Sequence, residues 1–437
     1  MPTFRLESTA VRAILTIADL LADSLLMYVR RPDLLLMVCV VLFLIYRQYL
    51  RLARTEAMLY GMALSGPRRQ ASGALLAGLM GGMLATLLFV VVGIPLSGIG
   101  VWYIWLVALP LAIISPRFLC FSYAGSLVCL SHLLWQVPKD VHVPAIMALV
   151  AILHMVEAFL IAVTGADGAT PVYVRAPNGK VVGGFWLQKA WPIPFAALVA
   201  GGVIIGQELP LWSGDMPLSS WWPLIQPVTM KGLVDQHLAY SLLPVLAALG
   251  YSELAITCRP EEKARHTAFL LVVYSLTLLA LSVLGQQGRG WALVAVIFAP
   301  LGHEATIHWG RRREMRGEPA FTVSQGVMVL GVLPGSPAEK AGLVVGDVIK
   351  RFNDESVSTK RDLVTAMYPW AIDAQVEVGN VFTTKQRTLT CEGRVPPLGA
   401  ILAPSADEPF FIDPYQPGRL ERWLRSWRQR RAGGRSF

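Results

Sequence analysis

Residues 326–357 read GVMVLGVLPGSPAEKAGLVVGDVIKRFNDESV, and the rest of the chain is organised around them. Residues 327–333 form a short apolar run with β-branched members and a glycine at its entry, which predicts a strand. Pro334 and Gly335 stop that strand. Ser336 is a good N-cap, Pro337 suits the first helical position, and Gly342 lies where a glycine ends a short helix. Gly346-Asp347 turns the chain into a second strand over 348–352, and Asn353-Asp354 turns it again. Residues 360–367 predict a helix with Leu363, Ala366 and Met367 on one face.

Strand, one-turn helix, strand and helix in this order resemble a bacterial-type PDZ domain. Leu333-Pro334-Gly335-Ser336-Pro337-Ala338, Ala341-Gly342-Leu343 and Gly346-Asp347-Val348-Ile349 carry the likeness. The domain should cover 321–404, with a hairpin near 376–390 and a closing strand over 398–402. PDZ domains bind by strand addition: an extended C-terminus or internal segment pairs beside the second helix. The resemblance therefore implies a peptide groove lined by Val327, Met328 and Leu330 against Leu363, Ala366 and Met367. The N–H groups of Gln325, Gly326 and Val327 would cap a terminal carboxylate. On this reading Gly326→Glu or Leu330→Lys removes partner capture from a chain that still accumulates.

The chain as a whole is too apolar for a soluble protein, with 54% hydrophobic against 15% charged residues. A helix needs about 20 apolar residues to cross a bilayer. Nine stretches meet or approach that length: 34–46, 73–93, 98–115, 118–135, 143–163, 192–206, 238–257, 267–284 and 291–302. A tenth, amphipathic over 11–29, could span or lie on the surface. The expected fold class is a polytopic α-helical membrane bundle of about 8–10 spans followed by a cytoplasmic α+β PDZ domain. The expected divisions are an N-terminal helix (1–32), the membrane domain (33–310), the PDZ domain (321–404) and a linker with a basic tail (405–437).

Cations set the orientation. Arg311, Arg312 and Arg313 follow the last span and place its end in the cytoplasm. Counting back, Arg259, Lys263 and Arg265 fall inside, as do the loops at 164–190 and 47–72. Arg30 and Arg31 would land outside, which suggests a re-entrant first pair. Within 164–190, two strands around Pro177-Asn178-Gly179 predict a hairpin, either a brace or a contact surface. In the tail, Leu420, Trp423, Leu424 and Trp427 keep helical spacing opposite Arg419, Arg422, Arg425 and Arg428. That pattern fits attachment to anionic lipid rather than nucleic acid; the alternative is a disordered basic tail.

Two constellations invite a chemical reading. His303-Glu304-Ala305-Thr306-Ile307-His308 is similar to the HExxH zinc motif of site-two intramembrane proteases, which often carry PDZ domains. Its histidines, however, are five apart, about 140° around a helix, so they do not share one face. No later membrane Asp-Gly follows, and no Gly-x-Ser-Gly-Gly loop of a trypsin-like protease is present. His154 and Glu157 share one helix face, as either a proton or substrate relay or a packing hydrogen bond. The five cysteines show no paired metal spacing, and no metal, cofactor or catalytic residue is expected.

Taken together, the architecture resembles the polytopic PDZ proteins of Gram-positive bacteria, the MinJ family. Pro171–Val174, Gly183-Gly184-Phe185, Trp191-Pro192-Ile193-Pro194, Gly302-His303-Glu304 and Arg311–Glu314 carry that likeness beside the PDZ segment. It implies a non-enzymatic scaffold linking DivIVA-like and Min-type division proteins. The rivals are a zinc metalloprotease using His303, Glu304 and His308, and a PDZ-regulated transporter.

Overall fold

The structure is a computed structural model. It describes residues 26–411 except 29, 97, 177, 201–202, 205–206, 209–221, 227–239, 369–370, 384, 406–407 and 409–410. The basic tail and most of the amphipathic 11–29 stretch lie outside the described residues.

The helical part runs α1 (Pro32–Tyr60), α2 (Pro67–Val92), α3 (Val101–Ile114), a 3-10 turn (Pro116–Leu119), α4 (Phe121–Trp135) and α5 (Val143–Thr164), then resumes with α6 (Pro260–Leu284) and α7 (Arg289–Arg316). Among the described residues α1, α2, α5, α6 and α7 are long and apolar enough to cross a membrane. Helix α5 is the axis of the bundle and is buried almost along its whole length. Small residues let its neighbours approach: Gly81 of α2 lies against Leu160, and Gly125 of α4 against Ile146. At 1.5 Å per residue, α3 and α4 are only about 21 and 22 Å long. That is short of the roughly 30 Å hydrocarbon core.

Between α5 and α6 the fold departs from the expected spans. In the expected spans 192–206 and 238–257, residues 192–200 and 240–255 are not helical. They belong to long strands, β2 (Val181–Ala200) and β5 (Tyr240–Ala255), paired antiparallel from Phe185↔Ala255 to Ala200↔Tyr240. Strand β1 (Thr170–Arg175) pairs with the first part of β2 through the predicted turn. Two short strands, β3 (Val203–Ile204) and β4 (Gln207–Glu208), pair beyond it.

An edge strand inside an apolar bundle must satisfy its main-chain groups internally. Beyond β1, the second edge of β2 faces α2, and its donors alternate. Ala190 N–H reaches Tyr49 Oη at 3.2 Å and Ala196 N–H reaches Thr86 Oγ1 at 2.9 Å. The two positions between them are Pro192 and Pro194, which have no N–H. Gly78 and Gly82 of α2 press directly on the carbonyl oxygens of these prolines, leaving no room for a Cβ. Proline on one edge and glycine on the facing helix allow strand and helix to meet backbone to backbone.

The C-terminal part comprises β6 (Val327–Val332), α8 (Pro337–Lys340), β7 (Asp347–Phe352), β8 (Glu355–Ser356), α9 (Lys360–Ala366), β9 (Ala371–Asn380), β10 (Gln386–Val395) and β11 (Ala400–Leu402). The sheet order is β10-β9-β7-β6-β11, with β8 on β7. Ser336 caps α8 by accepting from Glu339 N–H at 3.2 Å, as its sequence predicts. Thr359 and Asp362 form a reciprocal capping box on α9. Asp347 anchors the sheet: it is fully buried and accepts both bonds of the Arg387 guanidinium, at 2.8 and 2.7 Å, and one from Asn380 at 2.9 Å.

This part does not hang free. Strand β6 is buried on both faces, so it reads as an unbroken apolar run. Val327 and Val329 enter the sheet's own core, while Met328 and Leu330 join the core of the bundle and hairpin. Gly183 sits under Leu330, Phe185 packs edge-on to Phe321 at 4.9 Å, and Tyr173 donates to Leu402 O at 2.6 Å. The hairpin is therefore a brace beneath the C-terminal sheet.

Candidate functional site: an open sheet edge and a buried thiol–imidazole cluster

The strand to which the sequence assigns peptide addition is not a free edge. Strand β6 is filled on both sides. Strand β7 pairs with Val327 and Met328, and Gly346 N–H reaches Val329 O at 2.9 Å. On the other side β11 pairs with Val329, Gly331 and Val332, extended by Ala403 N–H to Met328 O and Leu333 N–H to Gly399 O, both at 2.8 Å. The chain's own closing strand thus occupies the edge expected to receive a peptide.

Antiparallel alternation sends the main-chain groups of Ala400 and Leu402 to the outer side of β11. Leu402 O is taken by Tyr173, and the others meet no partner among the described residues. Helix α9 borders this edge. Lys360, its first residue, stands over the Tyr173 ring at 5.0 Å and pairs with Glu408 at 2.8 Å. One turn on, Val364 is 59% exposed, and Tyr368, in the turn that follows α9, is 77% exposed. An apolar stripe beside an unpaired strand edge is the geometry that strand addition needs.

The second constellation lies inside the bundle. Cys120 follows the 3-10 turn, His154 lies midway along α5, and His303 midway along α7. Their ligand atoms all fall within 4.8 Å of one another. Cys120 Sγ is 3.2 Å from His154 Nε2 and 4.0 Å from His303 Nε2. His154 Nδ1 donates to Val150 O at 2.7 Å. His303 Nδ1 meets Tyr123 Oη at 3.2 Å, and Tyr123 donates to Glu304 at 2.5 Å, whose carboxylate also pairs with Arg117. His308 takes no part in this group. The five-residue spacing does keep the two histidines apart, and His303 instead finds partners 183 and 149 residues upstream.

Residues 310–390 match the family model of the PDZ domain. The match ends before β11. The cell division topological determinant MinJ of Bacillus subtilis (strain 168) is 26% identical over 229 residues, 51% of this chain and 52% of MinJ. The chain is a MinJ-like PDZ protein. It spans about half of MinJ's length. A probable periplasmic serine endoprotease, DegP-like, from Marinomonas sp. (strain MWYL1) is 29% identical over 106 residues, 24% of this chain and 20% of that protein.

Within this MinJ-like chain the predicted groove residues separate. Val327 and Leu363 are core of the PDZ sheet, Met328 and Leu330 are buried towards the hairpin and bundle, and Met367 is buried under α9. Ala366 is half-buried and Gln325 exposed. Gly326 takes a left-handed φ of +88°, where a Cβ would strike Val348 Cγ1 at 2.6 Å, so Gly326→Glu strains the fold itself. Lys360, Val364 and Tyr368 are the exposed residues at and just after α9 that the sequence reading did not single out. The signal available was that each of Val364 and Tyr368 follows directly on a buried residue, Leu363 and Met367.

The Leu330→Lys expectation changes with this geometry. Leu330 is fully buried against Gly183 and Phe321. Leu330→Ala should cost about 2–5 kcal/mol, and Leu330→Lys more, because an ammonium enters an apolar contact. Thermal unfolding of detergent-extracted protein should show both. An unchanged melting temperature in either variant would mean that the PDZ sheet is not seated on the hairpin.

Proposed function

We propose that this chain is a membrane-anchored, division-related adaptor that captures protein partners at the outer edge of β11 beside α9. The observation that carries the reading is the likeness to MinJ over half the chain, joined to a PDZ domain with an exposed Val364–Tyr368 stripe. The PDZ domain brings no catalytic group of its own.

A multi-pass topology with the PDZ domain in the cytoplasm fits the cations. Arg68 and Arg69 open α2, Arg259 and Arg265 lie at the start of α6, and Arg311 to Arg313 close α7. All three ends lie on the side of the hairpin and PDZ sheet. Replacing two crossing helices by β2 and β5 leaves the count of crossings at that point unchanged, since a tilted strand needs only about 9–11 residues. Helices α3 and α4 then form a re-entrant pair with the 3-10 turn at depth. DivIVA-like and Min-type division proteins are the partner classes, and the tail's Arg and Trp residues supply a contact to anionic lipid.

The rival zinc protease needs His303, Glu304 and His308 around one ion. Here Glu304 is held by Arg117 and Tyr123, and His308 stands apart.

The test is crosslinking with mass spectrometry in cells expressing the full chain. Val364→Lys, at an exposed position, should change stability by no more than about 0.5 kcal/mol. It should lower partner recovery about tenfold, the order of a 1.4 kcal/mol loss. Undiminished recovery from both Val364→Lys and a PDZ-deleted chain would refute the adaptor edge.

A further inference from the structure

We propose that Cys120, His154 and His303 form a zinc site that ties the 3-10 turn, α5 and α7 together inside the bundle. The inference is independent of the PDZ reading. It rests on where the lone pairs point.

Val150 O can only accept, so Nδ1 of His154 carries a proton, and in the neutral ring Nε2 carries the lone pair. Tyr123 spends its own proton on the Glu304 carboxylate, so its oxygen accepts from His303 Nδ1–H. That leaves His303 Nε2 as a second lone pair. Both Nε2 atoms face one sulfur. A thiol has one proton and can satisfy only one of them. A cation accepting from a thiolate and two imidazoles satisfies all three.

The distances suit a tetrahedral ion. Zn–S of about 2.3 Å and Zn–N of about 2.0–2.1 Å imply S···N separations near 3.5 Å. The two observed values, 3.2 and 4.0 Å, lie on either side. The outer contacts are those of a metal site as well: each histidine gives its other N–H to a carbonyl or to a Tyr–carboxylate pair, which fixes tautomer and ring plane. Thiolate with imidazole selects zinc or copper among common metals, and a carboxylate-free set disfavours magnesium and calcium. Three protein ligands leave the fourth position open, with Ser122 Oγ 3.2 Å from the sulfur. Ionisable groups at such depth are costly unless paired, and shared coordination pairs them.

The experiment uses the full chain purified in detergent from zinc-supplemented cells, with metal content measured by mass spectrometry. About one zinc per chain is expected, lost in Cys120→Ser and His303→Ala and kept in His308→Ala and Cys129→Ser. Tyr123→Phe should weaken zinc binding about 10–100-fold while leaving all three ligands in place. Since a ligand variant could misfold, wild-type protein reloaded with cobalt provides a second reading. It should show a near-ultraviolet thiolate-to-cobalt band and tetrahedral visible bands. Metal-free wild-type protein after dialysis against zinc, stoichiometric copper in place of zinc, or a cobalt spectrum without the thiolate band would each overturn the proposal. So would zinc that survives Cys120→Ser with His154→Ala.

Discussion

Replacing Gly82 with leucine is expected to leave no monodisperse folded chain after detergent extraction. A Cβ at this position overlaps the carbonyl oxygen of Pro194, and at Gly78 that of Pro192. Neither backbone can retreat. Strand β2 is held on its far side by sixteen residue pairs with β5, and on the near side by Thr86 and Tyr49. The effect should exceed about 4 kcal/mol, the range reached by severe overpacking against fixed backbone. Gly73 on the same helix has no atom within 4 Å of a built Cβ, so Gly73→Ala should stay within about 0.5 kcal/mol of the parent. Size-exclusion profiles after a heating series separate the two. Native elution of Gly82→Leu would mean that β2 does not lie against α2.

That strand also shows where the sequence was legible and where it was not. Composition identified 192–206 and 238–257 as apolar and long enough to cross, and apolar length alone does not separate a buried strand from a helix. Two residues argued for the strand. Pro192 and Pro194 are two apart, which on a strand puts both missing donors on one edge; inside a helix each would remove a bond and clash with the preceding turn. The predicted hairpin strand at 181–186 also runs into 187–200 with no Gly, Asn, Asp or Ser to turn it. The PDZ elements were legible because Ser336, Pro337, Gly342 and Gly346 act locally through caps and turns. The closing strand was visible too, but its consequence was not: only the register shows that β11 takes the free edge of β6. The thiol–imidazole cluster had no sequence signal, since Cys120 and His303 are 183 residues apart and meet only through helix packing.

Lys263→Met is expected to destabilise the chain by about 3–5 kcal/mol, the usual result of removing one partner from a buried ion group. Lys263 is 2% exposed, with its ammonium 3.2 Å from Glu253 and 3.7 Å from Glu314. It also donates to Gly310 O at 3.3 Å. Without it two carboxylates face each other in a site with little water. Glu314 is the more constrained, because its Oε2 accepts from the N–H groups of Ile256 and Thr257 at 2.8 and 2.9 Å and cannot turn away. Glu253 is held at 2.7 Å by Thr267. Adding Glu253→Gln to Lys263→Met should restore part of the loss, which a purely steric effect of methionine would not allow. The exposed Arg259–Glu262 pair next to it is the control, and Arg259→Ala should cost at most about 1 kcal/mol. The location gives the group its consequence. It joins the end of β5, the start of α6 and the end of α7, and Ile256 beside it accepts from Ala320 N–H on the segment leading into the PDZ sheet. Loosening this junction should therefore expose that segment to protease before the helices melt. Equal thermal shifts for Lys263→Met and Arg259→Ala would show that the lysine is hydrated and the junction is not what holds the sheet to the bundle.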